Sequence, residues 1–124
     1  MALFDTDVLI DCLRKKQDAM ELLLKYQDEP NCCSVITSGE ILFGMRENEK
    51  RETLILLDAL DELPVDKEII RLSREIKEQA AGFKLELYDC IISATALKYG
   101  QLLVTGNARH YPDKRLKIAE YKPD

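Results

Sequence analysis

Residues 2–11 read Ala2-Leu3-Phe4-Asp5-Thr6-Asp7-Val8-Leu9-Ile10-Asp11. A short apolar run, Ala2 to Phe4, breaks off at three acids, Asp5, Asp7 and Asp11, with Val8, Leu9 and Ile10 between them. This is the pattern of a buried strand that ends at Asp5 and turns straight into a helix. Thr6 or Asp7 is expected to cap that helix, because a side-chain oxygen there accepts its first free N–H groups. Capping accounts for one acid, not for two within three residues at the mouth of a core strand. Burying the charge of Asp5 is costly without a partner or a metal, so Asp5 is the functional candidate. Asp7 reads as the plain cap and Asp11 as part of a solvated helix face.

Two further stretches repeat the pattern of an apolar run with a polar end. Cys32 to Ile36 leads into Thr37-Ser38-Gly39-Glu40, and Leu102-Leu103-Val104 leads into Thr105-Gly106-Asn107. Between them the sequence predicts helices. The first runs from Asp7 to about Tyr26, in two pieces broken near Lys15–Gln17. Others run from Ser38 to Met45, from Glu52 to Glu62, and from Asp66 to Gly82, where Ile69, Leu72, Ile76 and Ala80 keep an amphipathic spacing. Asp89 opens a helix to Tyr99 that is apolar nearly all round and belongs in the core, with Gly100 as its stop. Leu63-Pro64-Val65 and Leu116-Lys117-Ile118 read as edge strands, where Pro is tolerated.

Apolar strands alternating with helices predict an α/β fold: a three-layer α/β/α sandwich around a mainly parallel sheet of four to five strands. At 124 residues the whole chain reads as one domain. Ligands of such sheets sit beyond the carboxyl ends of the strands. Asp5, Thr37 with Glu40, and Thr105 with Asn107 should therefore meet at one rim, with Asp89 at the start of the buried helix as a fourth member. Carboxylates forced together need compensating positive charge. Oxygen-only donors favour Mg²⁺ or Mn²⁺, which would be held by Asp5, Glu40 and Asp89 while Asn107 ligates weakly or binds a water. Each member also has a plainer reading. Thr37 to Glu40 fits a capping box, Asp89 fits a helix cap, and Thr105 to Asn107 fits a turn. Only their common location favours function.

Composition narrows the classes. Net charge is −5, from 18 basic and 23 acidic residues, which argues against a broad electrostatic grip on nucleic acid. A nuclease whose acids are covered by cations remains compatible. No basic leader and no apolar run of 18 residues is visible, so neither a signal peptide nor a membrane span is expected, and a cytoplasmic protein is. Cys12, Cys32, Cys33 and Cys90 form no C-x-x-C pair and read as small buried hydrophobes. His110, the one histidine, is placed on an exposed loop.

These segments resemble the PIN-domain family, and within it the VapC-type toxin ribonucleases. The family's hydrophobic-D-T-x-hydrophobic-L-I-D matches Leu3 to Asp11. Its S-x-x-T-x-x-E-hydrophobic-x-x-G matches Ser34 to Gly44, its D-x-x-I-x-A-T-A matches Asp89 to Ala96, and its last segment matches Leu102 to Asn107. The resemblance implies acidic ligands at Asp5, Glu40 and Asp89, with Asn107 as a fourth catalytic position and Thr6, Thr37 and Thr105 in support. It further implies Mg²⁺- or Mn²⁺-dependent endonucleolytic cleavage of RNA, a homodimer, and a cognate antitoxin. The departures are Asn107, which removes a charge, Gly106, where relatives often carry a basic residue, and His110, near an often acidic position. Two other readings compete. One is a PIN-like scaffold that binds without cleaving. The other is a haloacid-dehalogenase-like phosphatase, since Asp5-Thr6-Asp7-Val8 fits D-x-D-x-[TV]; the 19 residues after Thr105, however, lack that family's downstream acidic pair.

Overall fold

In the computed structural model, which describes residues 1–122, the opening run Ala2–Phe4 is the central strand β1. Asp5 is the N-cap of α1, Thr6–Leu13, and α2, Gln17–Lys25, follows after a break in which Lys15 takes a positive φ of 60°. The chain then runs through β2 (Asn31–Ser34), α3 (Val35–Gly44), α4 (Lys50–Asp58), β3 (Asp61–Leu63), α5 (Lys67–Gln79), α6 (Leu87–Tyr99), β4 (Leu102–Thr105) and β5 (Ile118–Glu120). Short 3-10 turns occupy Glu47–Glu49 and Ala108–His110.

The five strands pair in parallel in the order β3-β2-β1-β4-β5. Side chains alternate across a strand, and both faces are covered. Ala2, Phe4, Cys33 and Val104 pack against Val8, Leu9, Ala19, Ile41 and Leu57 of α1 to α4. Leu3, Cys32 and Leu103 face Ile92 and Ala96 of α6, and α6 turns Cys90, Ile91 and Ala94 toward Ile69 and Ile76 of α5. This is the expected three-layer α/β/α sandwich with its central parallel sheet. Helix α6, wedged between the sheet and α5, is apolar all round for that reason. Cys32 and Cys33 fall on opposite faces, and burial pushes the Cys32 thiol up to about 12.

Several boundaries differ from the sequence reading. β2 stops at Ser34, whose hydroxyl accepts from the Ile36 N–H at 3.2 Å and starts α3 at Val35. Val35 and Ile36 are helical, and Thr37 to Glu40 is not a capping box but the interior of a helix. β3 and β5 lie two residues from the runs chosen for them, because these edge strands carry Asp61, Glu62 and Glu120 rather than apolar runs. Charged edges of this kind keep a sheet from pairing with another chain. α4 ends at Asp58, before β3, and not at Glu62. Leu54 on α4 is 39% exposed, and on α2 Met20 and Leu24 face outward.

Candidate active site

Asp5 sits where β1 gives way to α1, its N–H held by the Val104 carbonyl at 2.9 Å. Only 5% of it is exposed, so its carboxylate must be satisfied from within. Four donors do so. The Thr6 N–H (2.8 Å) and the Tyr88 hydroxyl (2.9 Å) donate to Oδ1, while the Thr105 and Tyr111 hydroxyls, each at 2.8 Å, donate to Oδ2. A carboxylate offers about four acceptor positions, so the acceptor capacity of Asp5 is filled. Asp5 is thus also the cap of α1, a role the sequence reading gave to Thr6 or Asp7.

The other members surround it. Glu40 projects from the exposed face of α3. Asp89, 6% exposed in the first turn of α6, accepts the Glu86 N–H at 3.2 Å through Oδ2. The capping reading of Asp89 therefore holds for one oxygen, on a helix that starts two residues earlier than expected. Its other oxygen lies 3.6 Å from His110 Nδ1. Burial and the charge of Asp5 push the carboxyls of both Glu40 and Asp89 above the usual carboxylate range, while the Tyr88 hydroxyl restrains Glu40 and His110 restrains Asp89. Burial is the larger cause in both, and the charge of Asp5 adds to it from the end of β1 toward α3 and α6.

Thr37 is fully buried and stands 3.3 Å from both Thr6 Oγ1 and the Tyr88 hydroxyl, which itself meets Thr6 Oγ1 closely. Thr105, also fully buried, donates to Asp5 and accepts the Asn107 N–H at 3.0 Å. All seven residues singled out from the sequence are therefore gathered at the carboxyl ends of β1, β2 and β4.

Two acids were misread. Asp7 is not the cap but an acid in the first turn of α1. Its Oδ1 accepts the Val8 N–H at 3.0 Å, and its Oδ2 accepts from Asn107 Nδ2 at 3.2 Å. Burial, then the charge of Asp5, raises its carboxyl to about 6. A Cβ on Gly106 would come within 2.5 Å of Asp7 Oδ2, so Asp7 fills the space that a side chain at position 106 would need. Asp11 is not solvated: its side chain is 15% exposed and accepts from the Tyr121 hydroxyl at 3.0 Å. Tyr88 and Tyr111 escaped the sequence reading altogether. Tyr88 precedes Asp89 and Tyr111 follows His110, but nothing in those neighbours shows where a phenol will point. His110 is exposed, as expected, yet it belongs to the rim through Asp89.

The donors fit a hard divalent cation. They are carboxylates without a thiol, and their mutual repulsion is the charge a cation would offset. Among the described residues no group of three His, Cys, Asp or Glu side chains is already arranged to hold a metal ion; binding one here would take a movement of side chains such as Glu40, or water to complete the coordination shell.

The PIN-domain family profile matches residues 2–113. The chain belongs to the PIN-domain family. Ribonuclease VapC10 of Mycobacterium tuberculosis is 33% identical over 115 residues, spanning 90% of this chain and 86% of the relative. Ribonuclease VapC19 of the same organism is 30% identical over 118 residues, spanning 90% and 93%. Among solved structures, a toxin–antitoxin complex from Klebsiella pneumoniae superposes with a TM-score of 0.87 at 26% identity, covering all of both chains. DNA-bound VapBC from Salmonella typhimurium gives 0.82 at 22% identity, covering 98% of this chain and all of the other; at that identity the likeness speaks for the fold. A PIN-domain assignment leaves no room for the dehalogenase-like reading, whose D-x-D pattern is here the N-cap of α1 followed by an acid in its first turn.

Proposed function

We propose that this PIN-domain protein is a Mg²⁺- or Mn²⁺-dependent endoribonuclease, the toxin of a toxin–antitoxin pair, acting in the cytoplasm as a homodimer. The observation that carries the reading is Asp5: a carboxylate held rigid at the mouth of the central strand, its charge felt by Glu40, Asp89 and Asp7. The relatives named as VapC ribonucleases support the substrate class.

RNA phosphates are repelled by such a rim, and the chain's net charge of −5 offers no compensating attraction. Asp5, Asp89 and Glu40 would hold the cation, which supplies charge neutralisation at the phosphodiester and an acidified water for attack. The protein's own part is to fix geometry. Thr105, Tyr111 and the Thr6 N–H orient Asp5; the Glu86 N–H orients Asp89; Asp7 takes one side of the Asn107 amide and leaves its oxygen to bind a water or the cation. His110, beside Asp89 and open to solvent, is placed to meet substrate phosphate.

Two surfaces suit the partners. Phe43 (95% exposed) and Leu42 at the end of α3, with Leu54 and Ile55 on α4, which packs against α3, are exposed apolar side chains. Apolar area of this kind is what a second copy would cover. A cleft of about 480 Å³ that reaches Glu40 is lined by Ile10, Leu13, Ile41 and Met45 together with the charged Arg14, Arg46 and Glu49. It suits an antitoxin segment of mixed apolar and polar side chains, in which an arginine or lysine reaching Glu40 would stand in for the cation's charge.

The test is cleavage of RNA by the purified protein. Activity should require Mn²⁺ or Mg²⁺, stop on adding EDTA, and be suppressed when the small reading frame beside the gene is coexpressed. No cleavage of any RNA under these conditions would leave the non-catalytic scaffold as the surviving alternative.

A further inference from the structure

A cation bound to Asp5 must share it with, or replace, one of four donors already in place, and the four are not equally replaceable. The Thr6 N–H is backbone at a helix start. Thr105, fully buried, has its hydroxyl oxygen committed to the Asn107 N–H, so its proton is directed to Asp5. Tyr111 is 3% exposed, with its ring in the core beside Ile92 and Leu103. Tyr88 differs. It is half-buried in the first turn of α6, and its hydroxyl is bordered by Thr6 Oγ1, Thr37 Oγ1 and Glu40, each able to accept its proton.

We propose that two tyrosines divide the positioning of Asp5 between them: Tyr111 clamps Oδ2 permanently, whereas Tyr88 is an exchangeable donor that yields Oδ1 to a divalent cation. Tyr88 then turns its proton to Thr37 or Glu40, and the exchange ties loading of Asp5 to α3, the helix that carries Glu40. Burial and the negative charge of Asp5 hold both phenols above their ordinary range, so both remain donors. Neither is a catalytic residue. They are positioning residues with opposite effects on cation affinity. This rests on the cation reading given above.

Calorimetric titration of the full chain with manganese chloride, without RNA, separates the two roles. Tyr88→Phe removes a competitor for Oδ1 and should tighten Mn²⁺ binding about 2- to 10-fold, the worth of one hydrogen bond. Tyr111→Phe loosens the carboxylate and should weaken it about 10-fold or more, as losses of ligand-orienting partners do. Thr105→Val, which removes the other donor to Oδ2, should weaken it in the same direction and serves if Tyr111→Phe does not fold. The chain has five tyrosines and no tryptophan, so a second readout is available. Mn²⁺ should produce a tyrosine difference spectrum in wild type that is lost in Tyr88→Phe. Tyr88→Phe binding Mn²⁺ equally or more weakly, or keeping the difference spectrum, would overturn the exchange. Unchanged or tighter binding in both Tyr111→Phe and Thr105→Val would overturn the clamp. If wild type itself takes up no Mn²⁺, the cation reading fails as well, an outcome distinct from either.

Discussion

Asp5 is 5% exposed and receives four hydrogen bonds, whereas Glu40 lies on the open face of α3 with its charge opposed by Asp5 and Asp89. Around Asp5 the rim is closed and fixed by Thr6, Thr105 and Tyr111. Around Glu40, Asn107 and His110 it is open, and the groups have one partner or an electrostatic neighbour. The buried half costs desolvation and recovers it through hydrogen bonds to a charged acceptor, each worth roughly 1.5–3 kcal/mol. The open half carries repulsion only partly relieved, by the Tyr88 hydroxyl at Glu40 and by His110 at Asp89. A site built this way is preorganised where the cation is anchored and adaptable where the substrate enters. It also means the two halves should respond differently to substitution.

The largest effects are expected on the closed half. Asp5→Asn and Asp89→Asn each remove one charge and almost no volume, and each should cut RNA cleavage by orders of magnitude. The fold should survive Asp5→Asn, because the amide oxygen can keep the Thr6 N–H while the Thr105 and Tyr111 hydroxyls rotate to accept from the new NH₂. Full cleavage by both variants, measured on folded protein, would break the distinction between the halves.

On the open half a smaller loss is expected. Asn107→Ala should slow cleavage about 10- to 100-fold, the range for groups around a metal, and change stability by roughly 1 kcal/mol or less, since the side chain is exposed. An unchanged rate would make Asn107 a turn residue and narrow the site to three carboxylates.

The smallest effect concerns Asp7. Its folded-state carboxyl titrates at about 6 instead of 3.8, so the folded chain holds that proton more tightly than the unfolded one. The stability it confers is complete below about pH 3.8 and is lost as pH rises through about 6. Without added divalent cation, the melting temperature of wild type should fall relative to Asp7→Asn between these pH values. Parallel melting curves across that window would mean that neither burial nor the charge of Asp5 raises the Asp7 carboxyl.

The unequal construction also explains what could be read from sequence. β1 and β4 were legible because each is a short apolar run with an abrupt polar end, whereas Glu40 and Asp89 each had a plainer reading and stood out only by the rim that the parallel strands share. Helix starts were less so. Val35 and Ile36 suit a strand by composition, and only the Ser34 hydroxyl, satisfying the Ile36 N–H, decides for helix. The edge strands carry acids and give no apolar signal. Tyr88 and Tyr111 lie 83 and 106 residues from the carboxylate they bind, and a contact of that kind has no local signature. Asp11 looked like a helix-surface acid because its partner, Tyr121, is 110 residues away.

The claim beneath all of this is that the rim is a cation site organised by Asp5. Thermal unfolding with and without millimolar Mn²⁺, in wild type and in Asp5→Asn, tests it directly, since a ligand that binds only the folded form raises its stability by mass action. Wild type should gain several degrees and Asp5→Asn markedly less. Equal shifts in the two proteins would place the bound cations elsewhere on this acidic surface and contradict the account.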